Sequence, residues 1–344
     1  MKFTNTIHDK EVPCAPDWFL RSVEGYLEQG NLLTLKGKFF PAGRVWASDA
    51  LQISASQEQT SGIFGHKWQK EDTFTSQETL NRVRQWALER YGDFGLILEK
   101  LGGNPVVLDA GCGAAMTALE YFGPYFDRIR YIGTDISEAV FVAEKRVAEH
   151  KFNGVFLRDD LIRLPFAESS LDCIFSEGVL HHTDSTKGAL ASLVPMLRSG
   201  GYFLFYVYNK KGPIREFSDD FIREKLQSMP PDEAWEALRP LTYLGIQLGE
   251  IDRELDLPDG IPFLGVPAGK ISLQRFVYWH IFKAFYDPST TFEEMHHINF
   301  DWYAPKNAHR QTPEEVTEWC DELGLTIEKM KVENAGITVV AKRT

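Results

Sequence analysis

The stretch Val106-Val107-Leu108-Asp109-Ala110-Gly111-Cys112-Gly113-Ala114-Ala115 constrains this chain more than any other. Three apolar β-formers in a row predict a parallel strand covered on both faces. The residues after them predict a glycine turn that opens a helix, and Gly111 and Gly113 carry no Cβ to hold a ligand away from the backbone. Asp109 adds an acceptor at the strand's carboxyl end. This combination reads as a nucleotide-type pocket, with a glycine-rich turn in some other α/β protein as the alternative.

The sign of the charge narrows the ligand. A dinucleotide fold brings pyrophosphate to the helix N-terminus and uses a third glycine for close helix packing, but the third residue past Gly113 is Met116 and a carboxylate precedes the turn. A phosphate would meet repulsion here, whereas a ligand carrying an amino group would be welcomed. Asp-x-Gly-x-Gly resembles motif I of the class I methyltransferases that depend on S-adenosylmethionine (SAM), and the missing glycine leaves an NAD-linked dehydrogenase remote.

The following segments repeat the pattern in order. Ala114 to Phe122 reads as a helix, and Ile129 to Ser137 as a strand ending in Asp135-Ile136, with Ser137 capping a helix from Glu138 to His150. Val155 to Phe166 reads as a third strand ending in Asp159-Asp160-Leu161. Leu171 to Thr183 is a fourth, with Glu177 and His181-His182 at its exit. A helix from Leu190 to Leu197 stops at Ser199-Gly200-Gly201, and Tyr202 to Tyr208 is a fifth strand. Strand and helix alternating in this way predict a parallel sheet with its ligand at the strand carboxyl ends.

Residues 105 to 209 therefore resemble the SAM-dependent methyltransferases continuously. The resemblance implies a Rossmann-like seven-stranded class I methyltransferase sheet, mostly parallel with an antiparallel final pair, and SAM as cofactor. By the same resemblance Asp109, Gly111 and Gly113 form the methionine-side loop, Asp135 with Ile136 holds the ribose, and Asp160 with Leu161 meets the adenine. Glu177 lies near the methionine moiety, and His181 or His182 orients or deprotonates the acceptor, with packing as the alternative role for either histidine.

Flanking segments set the domain plan. Residues 1–76 read as an irregular arm or hairpin. Its Phe64-Gly65-His66-Lys67-Trp68 stretch is similar to the end of an amino-terminal zinc-ribbon segment in some bacterial methyltransferases, without the ribbon cysteines. Cys14 alone cannot build a tetrahedral site, so no metal is expected. Helices over 77–91 and Phe94 to Leu101 open the core at 77–209. Residues 210–305 form a helical insertion after strand five, read as a lid or substrate-recognition region, with a packing or dimerisation appendage as the alternative. Residues 306–344 add a helix and a strand pair that complete the sheet. Trp68, Tyr206, Tyr208, Tyr303 and His309 are candidate substrate contacts, and the pair His296-His297 reads as structural.

Composition limits the partners. A net charge of −12 disfavours a sequence-independent grip on nucleic acid. The four cysteines lie far apart, as in a reducing compartment, and no apolar run approaches the ~18 residues that span a bilayer. The expected protein is a cytoplasmic methyltransferase acting on an oxygen or nitrogen of a small or medium-sized metabolite. A carrier-bound sugar or lipid, a protein or a tRNA is the alternative acceptor, and a non-catalytic SAM-binding subunit the alternative class.

Overall fold

Apolar residues at alternate positions organise the amino-terminal part of the protein, whose computed structural model describes residues 13–49, 51 and 53–344. Helix α1 (Asp17–Ser22) leads into four strands, β1 (Tyr26–Glu28), β2 (Asn31–Thr34), β3 (Gly37–Ala42) and β4 (Val45–Ser48), paired antiparallel in sequence. Leu32, Phe39 and Trp46 point to one buried face, and the Trp46 indole donates to the Cys14 carbonyl at 3.0 Å. Helix α2 (Ala55–Trp68) follows, capped by Ser54, and α3 (Gln77–Tyr91), capped by Ser76, precedes α4 (Phe94–Leu101).

The central strands are β5 (Val106–Ala110), β6 (Arg130–Asp135), β7 (Gly154–Arg158), β8 (Leu171–Glu177) and β9 (Leu197–Tyr208), linked by α5 (Met116–Phe122), α6 (Ala139–Glu149) and α7 (Thr186–Leu193). All neighbouring pairs among them are parallel. Every residue of β5 is buried, as its run of β-formers requires. Strand β9 runs through Ser199-Gly200-Gly201, where the sequence predicted a helix stop; its pairing with β8 shifts register there.

Next come α8 (Pro213–Leu226), α9 (Pro231–Glu250), the antiparallel hairpin β10 (Glu254–Leu257) and β11 (Gly269–Ser272), α10 (Leu273–His280) and α11 (Phe292–Tyr303). Helix α12 (Pro313–Glu322), strand β12 (Leu325–Val332) and strand β13 (Gly336–Arg343) end the chain, with β13 antiparallel to both β9 and β12.

The sheet order is β1-β2-β3-β4-β7-β6-β5-β8-β9-β13-β12. Eleven strands replace the expected seven. The reason is an edge: β7 would otherwise present unpaired backbone groups, and β4 pairs with it in parallel through Trp46–Leu157 and Ala47–Arg158. Within the described part of residues 1–76, β1–β4 are antiparallel hairpins that extend the sheet, and Phe19, Leu32, Phe39 and Trp46 share one apolar core with Leu108 and Val155. Residues 1–12 of the expected arm lie outside the described residues. No described helix is long and apolar enough to cross a membrane.

One buried carboxylate ties the segment after β9 together. Asp219 on α8 accepts from Arg215 Nε at 2.6 Å, from the Trp302 indole at 2.7 Å and from the Tyr303 hydroxyl at 2.7 Å. Arg215 and Asp219 are each 1% exposed. Removing one partner of a buried pair leaves an uncompensated charge, so Asp219→Ala is expected to lower stability by about 3–5 kcal/mol. Urea unfolding followed by circular dichroism measures it; a loss below about 1 kcal/mol, typical of a surface pair, would contradict the assignment.

Candidate active site

The chain leaves β5 by a turn that side chains would obstruct. Gly111 has φ +86°, and a Cβ there would lie 2.2 Å from Val179 Cγ1; Gly113 has φ +51°, and a Cβ there would lie 2.9 Å from the Trp68 indole nitrogen. Trp68, at the end of α2, therefore roofs the turn. The amides of Gly111 and Cys112 both donate to the Thr134 carbonyl at 2.8 Å, which binds the turn to the end of β6.

Three carboxylates stand along this edge of the sheet. Asp135 is held firmly: one oxygen accepts from Gly113 N at 2.9 Å, the other from Ser137 N at 2.8 Å and Ser137 Oγ at 2.7 Å. Asp109 accepts from the Tyr131 hydroxyl at 2.7 Å, and burial pushes its carboxyl up to about 7 against that bond. Burial also raises Asp135 and Asp160. Asp160, and not its neighbour Asp159, lines the cavity above the edge.

That cavity has a volume of ≈ 810 Å³. Asp109, Gly111, Gly113, Asp135, Ile136, Asp160, Leu161 and Glu177 line it, as do Trp68, His182, Tyr206 and Tyr208. Glu177 accepts from both Arg90 and Tyr91 of α3, and the Arg90 guanidinium lies 4.0 Å from the Tyr206 ring centre. His182 Nδ1 lies 2.6 Å from the Asn307 carbonyl, so it must carry the proton, and Nε2 is a buried lone pair without a hydrogen bond among the described residues.

Three expected site residues are not brought to the cavity. His181 is fully buried with its ring 3.7 Å from that of Tyr208, and the tight turn Leu180–His182 sends adjacent histidines in different directions. Tyr303 is fully buried on Asp219. His309 donates from Nε2 to the Thr183 carbonyl at 3.0 Å and lies on the exposed side of the chain.

Other residues reach the cavity without having been singled out for it. Lys67 of α2, only 4% exposed, pairs with Asp301 of α11, whose second oxygen accepts from the Tyr208 hydroxyl at 3.0 Å. Burial opposes ionisation of Asp301, but Lys67, His182 and Lys283 hold its carboxyl well below the usual range. His297, read from sequence as structural, also lines the cavity. The Thr73 hydroxyl donates its proton to the Lys70 carbonyl at 2.6 Å and so accepts from His297 Nδ1 at 2.6 Å, which leaves His297 Nε2 unprotonated. The signal for α11 was present as Thr291-x-x-Glu294, a capping box in which both reciprocal bonds form.

His182 generates a stability prediction. Burial pulls its imidazole down to about 4, below the unfolded value of about 6.5. Between those values the unfolded chain binds the proton and the folded chain does not, so stability falls as pH drops from about 6.5 to about 4, by about 3 kcal/mol for this residue. His182→Gln should flatten that part of the urea-midpoint profile; an unchanged slope would show that His182 does not carry it.

Comparison with known proteins bears on the same segment. The family described as "Methyltransferase domain" matches residues 108–205. An uncharacterized chloroplastic methyltransferase of Arabidopsis thaliana is 31% identical over 123 residues, covering 33% of each chain. The sterol 24-C-methyltransferase of Pneumocystis carinii is 28% identical over 103 residues, 29% of this chain and 27% of that one. The tRNA (carboxymethyluridine(34)-5-O)-methyltransferase of Arabidopsis thaliana is 32% identical over 114 residues, 32% of this chain and 26% of that one. This chain thus spans between a quarter and a third of the length of these relatives. Residues 108–205 are thus similar to a methyltransferase domain, and they supply the parallel strands at the centre of the sheet.

Proposed function

We propose that the protein binds SAM along the β5–β6–β7 edge and transfers its methyl group to an oxygen or nitrogen of a small or medium-sized metabolite. One observation carries this reading: a row of buried carboxylates and a turn with glycine at 111 and 113 share one roofed cavity. Its ≈ 810 Å³ lies within the span of about 300–1,000 Å³ common for small-molecule sites, which favours a metabolite over a macromolecule.

SAM supplies an electrophilic methyl on a sulfonium; the protein's work is alignment and exclusion of water. Asp109 offers the counter-charge for an ammonium group beside the turn. Asp135, immobilised by Gly113 and Ser137, would accept from the ribose hydroxyls, and Asp160 would hold the adenine amino group. Trp68 closes the cavity over the turn. His182, which lines the cavity and is kept neutral by burial, is the candidate to accept a proton from an acceptor hydroxyl or amine.

Calorimetry with SAM, its demethylated product S-adenosylhomocysteine (SAH) and NAD tests the reading. Saturable binding of SAM and SAH near one per chain and none of NAD is expected; silence toward SAM and SAH in folded protein would reject it. Asp135→Ala removes charged hydrogen bonds worth about 1.5–3 kcal/mol, so SAM affinity should fall about 10- to 150-fold, and an unchanged affinity would remove Asp135 from the site. Because Asp109 gains its charge as pH rises through about 7, SAM affinity should climb between about pH 6 and 7.5, by at most about tenfold per unit for one proton. Asp109→Asn should abolish that climb.

A further inference from the structure

The cavity wall away from the strand-end carboxylates is rich in charge, and nearly all of it is internally matched. Lys67 faces Asp301, Arg90 faces Glu177, Arg82 faces Asp287 at 3.0 Å, and Lys331 faces Glu333 at 2.9 Å. Lys283 is the exception among the buried cations there. It is 7% exposed and lines the cavity, yet its ammonium meets no carboxylate oxygen within 4.0 Å and no hydrogen-bond acceptor among the described residues. Its ammonium lies instead over the face of Trp302, with Nζ 4.9 Å from the ring centre.

The position is built. The Lys283 backbone amide donates to the Tyr303 hydroxyl at 2.7 Å and toward Asp219 Oδ1 at 3.3 Å, so the hub that holds α8 to α11 also anchors the stem of this lysine. Taking an ammonium out of water without a partner is costly, and the group must lose its proton or find an anion. Burial does pull it down to about 7, against the field of Asp301, so at neutral pH it is poised between those two outcomes.

Resting on the methyltransferase reading, we infer that the acceptor is a small monocarboxylic acid with a flat apolar body, whose carboxylate pairs with Lys283 inside the cavity. A carboxylate completes Lys283, the unmatched buried cation of this wall among the described residues, and restores its proton. A neutral acceptor leaves Lys283 unpaired, a cationic one repels it, and a phosphate dianion brings a second charge where the other buried cations of this wall already have carboxylate partners. Trp86, Tyr206, Tyr278 and Trp279 line the same cavity and supply aromatic faces for the body of the acid. Arg275, exposed and also lining the cavity, stands at its outer part to draw an anion inward.

The test uses the full-length protein with and without saturating SAH. Calorimetry compares benzoate, cinnamate, 3-phenylpropionate and their 4-hydroxy derivatives, each against its own primary amide. At least one acid is expected to bind about tenfold or more tightly than its amide, the usual discrimination of a charge-assisted hydrogen bond. That gap should close in Lys283→Met, persist in Lys283→Arg, and leave the SAH affinity of both variants unchanged. Acids that bind no better than their amides overturn the inference. So does a Lys283→Met variant that loses SAH affinity in step with acid affinity, because Lys283 would then serve the cofactor's own carboxylate. Failure of the wild-type protein to bind SAH strikes the methyltransferase reading instead, and the comparison without SAH still scores the preference for acids.

Discussion

The Lys67–Asp301 ion pair is the contact on which the enclosed site depends. Its partners are 234 residues apart in the chain, one on the last turn of α2 and the other on α11. Neither charge could stay buried alone, and the pair is completed by the Tyr208 hydroxyl at the end of β9. Three separate parts of the chain, before the sheet, within it and after it, are therefore fastened at one point over the carboxyl edge. The adjacent Trp68 is carried into place over Gly113 by the same helix, and the Lys67 ammonium lies 4.2 Å from its ring centre.

The cavity under this clasp has two electrostatic halves. Along β5, β6 and β7 the strand ends present carboxylates whose ionisation burial opposes, a setting that a ligand amine relieves. On the opposite wall cations and carboxylates neutralise one another and leave Lys283. A net charge of −12 would not suggest a cationic spot inside the molecule. It arises because pairing, and not composition, decides which charges remain unspent in a buried space.

Neighbouring residues show how sharply geometry sorts similar sequence. His181 and His182 are adjacent and chemically identical, yet one is sealed beneath Tyr208 and the other lines the cavity. His296 and His297 divide in the same way: His296 bridges the Trp235 carbonyl at 2.9 Å and Thr242 at 2.8 Å, while His297 faces the cavity beside Trp68. A motif names the pair; only the turn or helix that carries it assigns the member. Tyr303 illustrates the converse, since its hydroxyl is consumed by Asp219 and its influence on the site passes through the Lys283 backbone.

The residues from Val106 to Tyr208 determined by themselves the alternation of strands and helices, the glycine turn and the acids at the strand tips, because local propensity, periodicity and spacing all agree there. Helices over 77–91 and 94–101 were equally legible from their caps. The four-strand extension at the start of the chain was not, because its pairing with β7 is parallel and joins residues more than a hundred positions apart. Tertiary structure alone decided the roof of α2 over the turn, the gathering of Lys67, Asp301, His297 and Lys283, and the burial of His181. These follow from desolvation and long-range charge pairing, which depend on what surrounds a side chain in space and leave no period in the sequence.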